Sequence, residues 1–127
     1  MVVLKYSIAF LACTFSIFSY ANEIIFNNIK INNTVEKCII FSPVDTTNEK
    51  NSVLMVIKAN VEKPTYECGC RSMLLDYSVD VQSNEEPFQV LRSKISVLSS
   101  QELLLPLSTD SKLIASRELT INFSCSN

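Results

Sequence analysis

Three segments of this chain place an apolar side chain at every second position. Val53, Met55, Ile57, Ala59 and Val61 form the first, with Lys58 and Asn60 between them. Met73, Leu75, Tyr77, Val79 and Val81 form the second, with Asp76, Ser78 and Asp80 on the alternate positions. Leu119, Ile121, Phe123 and Cys125 form the third, interleaved with Thr120, Asn122 and Ser124. A helix would scatter such a pattern around its circumference, whereas a strand sends successive side chains to opposite faces. Each segment therefore reads as a strand with one face on a core and the other in water.

Weaker strands fall at residues 24–31, 38–41, 88–98 and 103–107, with turn-type residues at 32–34, 43–51, 63–65 and 84–87. Short strands at this spacing, without long helical patterns, predict an all-β domain: a small immunoglobulin-like antiparallel β-sandwich. Ser99 and Glu102 have capping-box spacing, but Pro106 would end a helix there after about one turn. A turn or short strand is expected instead. Pro106 inside 103–107 also places that segment at a sheet edge or a bulge. Gly69 is the only glycine, so asparagines or longer loops must supply the turns that glycine usually makes.

The N-terminus sets the context. Lys5 is the only charge before Glu23, and an apolar run from Tyr6 to Phe18 leads to Ser19-Tyr20-Ala21. A positive start, a short apolar centre and a small-x-small site make a secretory signal. The run is too short for a membrane span, which takes about 20 apolar residues. Cleavage between Ala21 and Asn22 would release a single domain of residues 22–127, with no stable membrane insertion afterwards. Cys13 sits in a faint lipoprotein-like context, but Phe15, Ile17 and Phe18 carry the apolar run past it, so lipidation is not expected. Losing Lys5 takes the net charge from −2 to about −3, with the charges scattered. The basic cluster of a nucleic-acid binder is absent. The domain is expected in the periplasm or outside the cell.

Four cysteines remain after cleavage: Cys38, Cys68, Cys70 and Cys125. An even count in a small exported chain reads as two disulfides. Four cysteines allow three pairings. Two of them join Cys68 and Cys70 to Cys38 and Cys125 and are structural. The third closes Cys68 on Cys70 in a strained ring suited to thiol–disulfide exchange. In an extended strand Cys68 and Cys70 would face the same way and share parity with Asp76 and Asp80, the polar face. Cys125 shares its face with Phe123 and should point inward. A bulge at Gly69 or a register change near Ser72 would reconcile them. The same thiolates could also hold copper(I). Met55 and Met73, the other soft donors, fall on apolar strand faces where core packing accounts for them. No cofactor and no metal are expected.

Residue types that are missing narrow the chemistry further. The chain has no histidine, which removes Ser-His-Asp and Cys-His catalysis, histidine metal sites and the usual general base near neutral pH. One glycine leaves no phosphate-cradling loop. Ser93-Lys94 and Ser111-Lys112 are adjacent pairs, which a strand would send to opposite faces. Asp76 and Asp80 share a strand face but stand about 13 Å apart at strand rise, beyond either glycosidase separation. No enzyme constellation is assembled.

The run Tyr66-Glu67-Cys68-Gly69-Cys70-Arg71-Ser72, the segment Leu103-Leu104-Leu105-Pro106-Leu107 and the terminal Leu119-Thr120-Ile121-Asn122-Phe123-Ser124-Cys125 resemble a small exported bacterial family catalogued as a domain of unknown function, the DUF2195 type. The resemblance implies a periplasmic β domain and brings no activity or catalytic residue with it. The reading that follows is a non-catalytic binding, inhibitor or immunity-type protein whose partner is another protein of the cell envelope. Its contact segment is expected at Leu103, Leu104, Leu105 and Leu107, with ordinary packing as the alternative use of those residues. The competing reading is a thiol–disulfide redox protein using Cys68-Gly69-Cys70. Protein purified from the exported fraction is expected to begin at Asn22. Intact mass and N-terminal sequencing check this, and an unprocessed Met1 would remove the export reading.

Overall fold

The computed structural model describes residues 29–126. The signal segment, Cys13, the Ala21/Asn22 junction and positions 24–28 of the first expected strand lie outside those residues. The chain forms β1 (Ile29–Asn33), β2 (Ile39–Glu49), β3 (Ser52–Val61), β4 (Leu74–Val81), β5 (Phe88–Ser96), β6 (Gln101–Ser108) and β7 (Leu119–Cys125). A 3-10 turn at Thr65–Cys68 and a one-turn helix α1 (Ser111–Ile114) complete it. One sheet has the order β1-β7-β4-β5 and the other β2-β3-β6. The seven strands among the described residues, divided four and three, give the immunoglobulin-like layer architecture, with a strand order of its own.

The alternating positions face inward as the pattern requires. Val53, Met55, Ile57 and Ala59 of β3, Leu75, Tyr77, Val79 and Val81 of β4, and Leu119, Ile121 and Phe123 of β7 are buried in one cluster. Between the sheets Phe41 of β2 stacks on Phe123 of β7, ring centroids 3.9 Å apart. Tyr77 lies 6.2 Å from the same ring, and its hydroxyl donates to the Pro106 carbonyl at 3.3 Å across the sandwich. A buried phenol needs such an acceptor. Burial raises the Tyr77 pKa above its ordinary value, partly offset by a hydrogen bond with Ser93.

Several expectations change. The pairing is not wholly antiparallel: β1 runs parallel to β7, Ile29 opposite Leu119 through Asn33 opposite Phe123. Parallel neighbours cannot be joined by a hairpin, and here almost the whole sandwich separates them. Residues 43–51 are mostly strand rather than turn. β2 continues through Pro43 because it is an edge strand, where a missing N–H breaks no ladder bond. A register shift between Pro43 and Asp45 takes up Val44 as an extra residue. The chain reverses at Lys50-Asn51, with Lys50 at φ 56°. Among the described residues Lys50 and Ser116, not asparagines, take up the left-handed positions outside Gly69. Pro106 sits opposite Leu54 beside a register shift on edge strand β6, so it meets both placements expected for it. Met73 lies outside β4 and is exposed, because the extended run begins only at Leu74.

Phe123→Ala removes the ring that both Phe41 and Tyr77 pack on. The expected cost is about 3–5 kcal/mol, read as a lowered urea midpoint with an unchanged slope.

Candidate functional site

The connection from β3 to β4 carries the chain from one sheet to the other and contains two of the four disulfide-bonded cysteines, Cys68 and Cys70. Glu62 and Lys63 donate their N–H groups to the Cys38 carbonyl at 2.8 and 3.2 Å. Pro64, at φ −60°, starts the 3-10 turn. Gly69 ends it at φ 87°, a left-handed conformation that glycine adopts without penalty. Its N–H donates to the Tyr66 carbonyl at 3.1 Å and the Cys70 N–H to the Thr65 carbonyl at 3.2 Å, the paired closure of a Schellman motif. A Cβ at Gly69 would meet nothing within 4 Å, so the requirement is the dihedral angle, not space.

That turn resolves the parity conflict. Cys68 and Cys70 do not lie in an extended strand, so they are free to diverge. Cys68 bonds Cys38 beside β2, Cα atoms 6.3 Å apart, and Cys70 bonds Cys125 at the end of β7, 5.1 Å apart. One connector is thereby tied to both sheets. The bonds close loops of 30 and 55 residues, and each contributes about 4 kcal/mol by the chain-entropy estimate. No bond joins Cys68 to Cys70, the link on which the redox reading depends.

Between this connector and the β5–β6 loop lies a groove of about 400 Å³. Val61, Pro64, Tyr66, Met73, Val97 and Leu98 supply its apolar lining, and Glu62, Lys63 and Arg71 its charges. Tyr66, Met73 and Leu98 are 72%, 60% and 66% exposed. Its size falls in the range of ligand clefts, and apolar walls with a few polar groups are what such sites use. Cys70 lines it, but as a disulfide. The lining offers surface for binding, and Glu62 is its only carboxylate.

A family described as an uncharacterized protein conserved in bacteria, DUF2195, matches residues 9–127. The chain belongs to this family. No curated protein and no solved structure matches it.

Within this DUF2195 domain the leucine segment does not come together as one surface. Leu105 and Leu107 are core residues and Leu103 is half-buried, while Leu104 alone is well exposed, on the outer face of its sheet. Alternation on β6 dictates this split. The groove residues escaped sequence reasoning for a related reason. Met73 continues the parity of β4 and so reads as core. The available signal was apolar residues inside turn-type segments: Tyr66 after Pro64-Thr65, and Leu98 before Ser99-Ser100.

The carboxylates of β4 belong to the outer sheet face. Asp76 accepts from Lys94 Nζ at 2.7 Å and lies 3.7 Å from Arg92. Lys94 also bonds the Ser126 hydroxyl. Asp80 accepts from Asn122 Nδ2 at 2.9 Å. Ser93 and Lys94 are successive residues of β5, whereas Ser111 and Lys112 open α1, capped by the Asp110 carboxylate on the Lys112 N–H. Among the described residues no three cysteine or carboxylate side chains gather as a metal-binding set. No helix among them is long and apolar enough to cross a membrane.

The Lys94 hydrogen bond, with help from Ser126 and the charges of Lys94 and Arg92, outweighs desolvation and holds the Asp76 pKa below its ordinary value of 3.8. A depressed folded value stabilises the fold fully above the unfolded pKa and is lost as pH falls through the folded one. Stability is therefore expected to decline as pH drops below about 4. Asp76→Asn is expected to flatten that part of the curve, and urea midpoints across an acid series check it.

Proposed function

We propose that this protein is exported and acts in the cell envelope as a non-catalytic binding protein of the inhibitor or immunity kind, with another protein as its partner. The groove carries this reading: Tyr66 and Met73 stand exposed on a connector that holds two disulfides, and Leu98 stands exposed on the β5–β6 loop beside it. A monomeric domain has no folding reason to expose Tyr66, Met73 and Leu98 together, and apolar clusters with a charged rim are used for recognition. Two disulfides within the connector let this part of the surface bind without first being ordered, so less affinity is lost to entropy.

Two features support export. A small domain relying on disulfides is characteristic of an oxidising compartment, and the N-terminal segment has the make-up of a cleavable signal. The partner contribution that fits the groove is an apolar side chain or short apolar segment, seated against Tyr66 and Met73, with the rim of Glu62, Lys63 and Arg71 fixing its orientation. A thiol–disulfide role has no comparable support, since each cysteine of the motif is bonded to a distant partner.

The test is site-specific photo-crosslinking in the exporting cell. A crosslinker at Met73 or Leu98 is expected to trap the same protein, and one at Thr47, toward the end of β2 opposite the groove, is expected not to. Tyr66→Ala is expected to weaken the trapped complex by about thirtyfold, as loss of an aromatic anchor does. Equal crosslinking at all three positions, or none at the groove, would overturn the proposal.

A further inference from the structure

The four sheet edges are not alike. β6 carries Pro106 and a register shift, and β2 carries Pro43 and a second shift. Asn33 Nδ2 also donates to the Ile39 carbonyl on β2 at 2.7 Å. β1 is described over Ile29–Asn33. Proline and bulges are among the usual devices that keep an edge from pairing. β5 is nine residues long, contains no proline, and has its register shift near one end. From Leu91 opposite Val79 to Ser96 opposite Leu74 its ladder is regular. Among the described residues no hydrogen bond reaches its outer backbone edge.

We infer that β5 is a strand-addition site for an extended segment that alternates apolar and acidic residues. This deepens the binding-protein reading and rests on it. The side chains flanking the edge define the occupant. On the inner face, Leu91 and Ile95 are half-buried against the core and open toward the edge, so an added strand would cover them with apolar side chains. On the outer face stand two cations, Arg92 and Lys94, whose side chains are 68% and 53% exposed, with Asp76 as their shared carboxylate. An added strand would bring further carboxylates beside them, the cross-strand arrangement of opposite charges that stabilises sheets. The strand already paired with β5 has this composition: β4 turns Leu75, Tyr77 and Val79 inward and Asp76 outward between the same two cations. β5 also leads directly into Val97 and Leu98 of the groove. A segment lying along it would end there, its backbone held by the edge and a side chain by the groove.

Amide spectra of the 15N-labelled, disulfide-bonded exported protein test this. The probe is a nine-residue peptide alternating valine and aspartate, and the control alternates valine and lysine. The acidic peptide is expected to shift the amides of residues 91–96 and slow their exchange. Arg92→Glu, with an otherwise unchanged spectrum, is expected to weaken that binding by about fivefold. Arg92→Ser is expected to weaken it less. No shift at 91–96 with millimolar peptide, equal binding of the lysine peptide, or indifference to Arg92→Glu would each overturn the inference. Shifts confined to Tyr66, Met73 and Leu98 would also overturn it while leaving the groove reading intact. Peptide-independent, concentration-dependent protection of 91–96 would assign the edge to a second copy and overturn the occupant proposed.

Discussion

The left-handed turn at Gly69 is the constraint on which the rest of this structure depends. It lets two cysteines one residue apart point to opposite layers, so that a single connector staples both sheets. A Cβ there would meet nothing within 4 Å, so what the position demands is the positive φ. Folding stability in domains of this size amounts to about 5–15 kcal/mol. Two loop-closing bonds of about 4 kcal/mol each are a large share of such a margin, and both depend on the direction the chain takes at that residue.

The core supplies the remainder by conventional means. Phe123 is the contact between layers, stacked on Phe41 and flanked by Tyr77, and the alternating aliphatic residues of β3, β4 and β7 fill in around it. The outer face of the four-stranded sheet is a hydrogen-bonded polar surface in which Asn122 reaches Ser78 and Asp80 while Asp76 is held between Lys94 and Arg92. Its carboxylates are satisfied by neighbours in the sheet. The features left without an internal explanation lie elsewhere: the exposed apolar groove at the disulfide-bearing connector, and the unguarded edge of β5 that runs into it. The proposed binding role rests on these two features.

The strands with strict alternation were legible because burial on one face enforces a period of two, and β3 and β7 match their sequence patterns closely. β2 was legible only in its first residues. Beyond Phe41 it is an exposed edge, where no core imposes a pattern and Pro43 reads as a turn. The two disulfides were legible as a count, and the choice among three pairings was not, because it depended on a backbone dihedral at Gly69. The groove was the least legible feature. Its walls come from the end of β3, the β3–β4 connection and the β5–β6 loop, segments brought together only when the sheets stack.

The sequence by itself determined the class of fold, the inward faces of the central strands, the absence of histidine chemistry and the membership in a disulfide-tied bacterial family. These follow from residue identity and short-range periodicity, which act along the chain. Tertiary structure decided which cysteines pair, which leucines of β6 see water, that β1 lies parallel to β7, and that Tyr66, Met73 and Leu98 share one surface. Those outcomes depend on contacts between residues far apart in sequence, and such contacts are fixed only when the two layers close on Phe123.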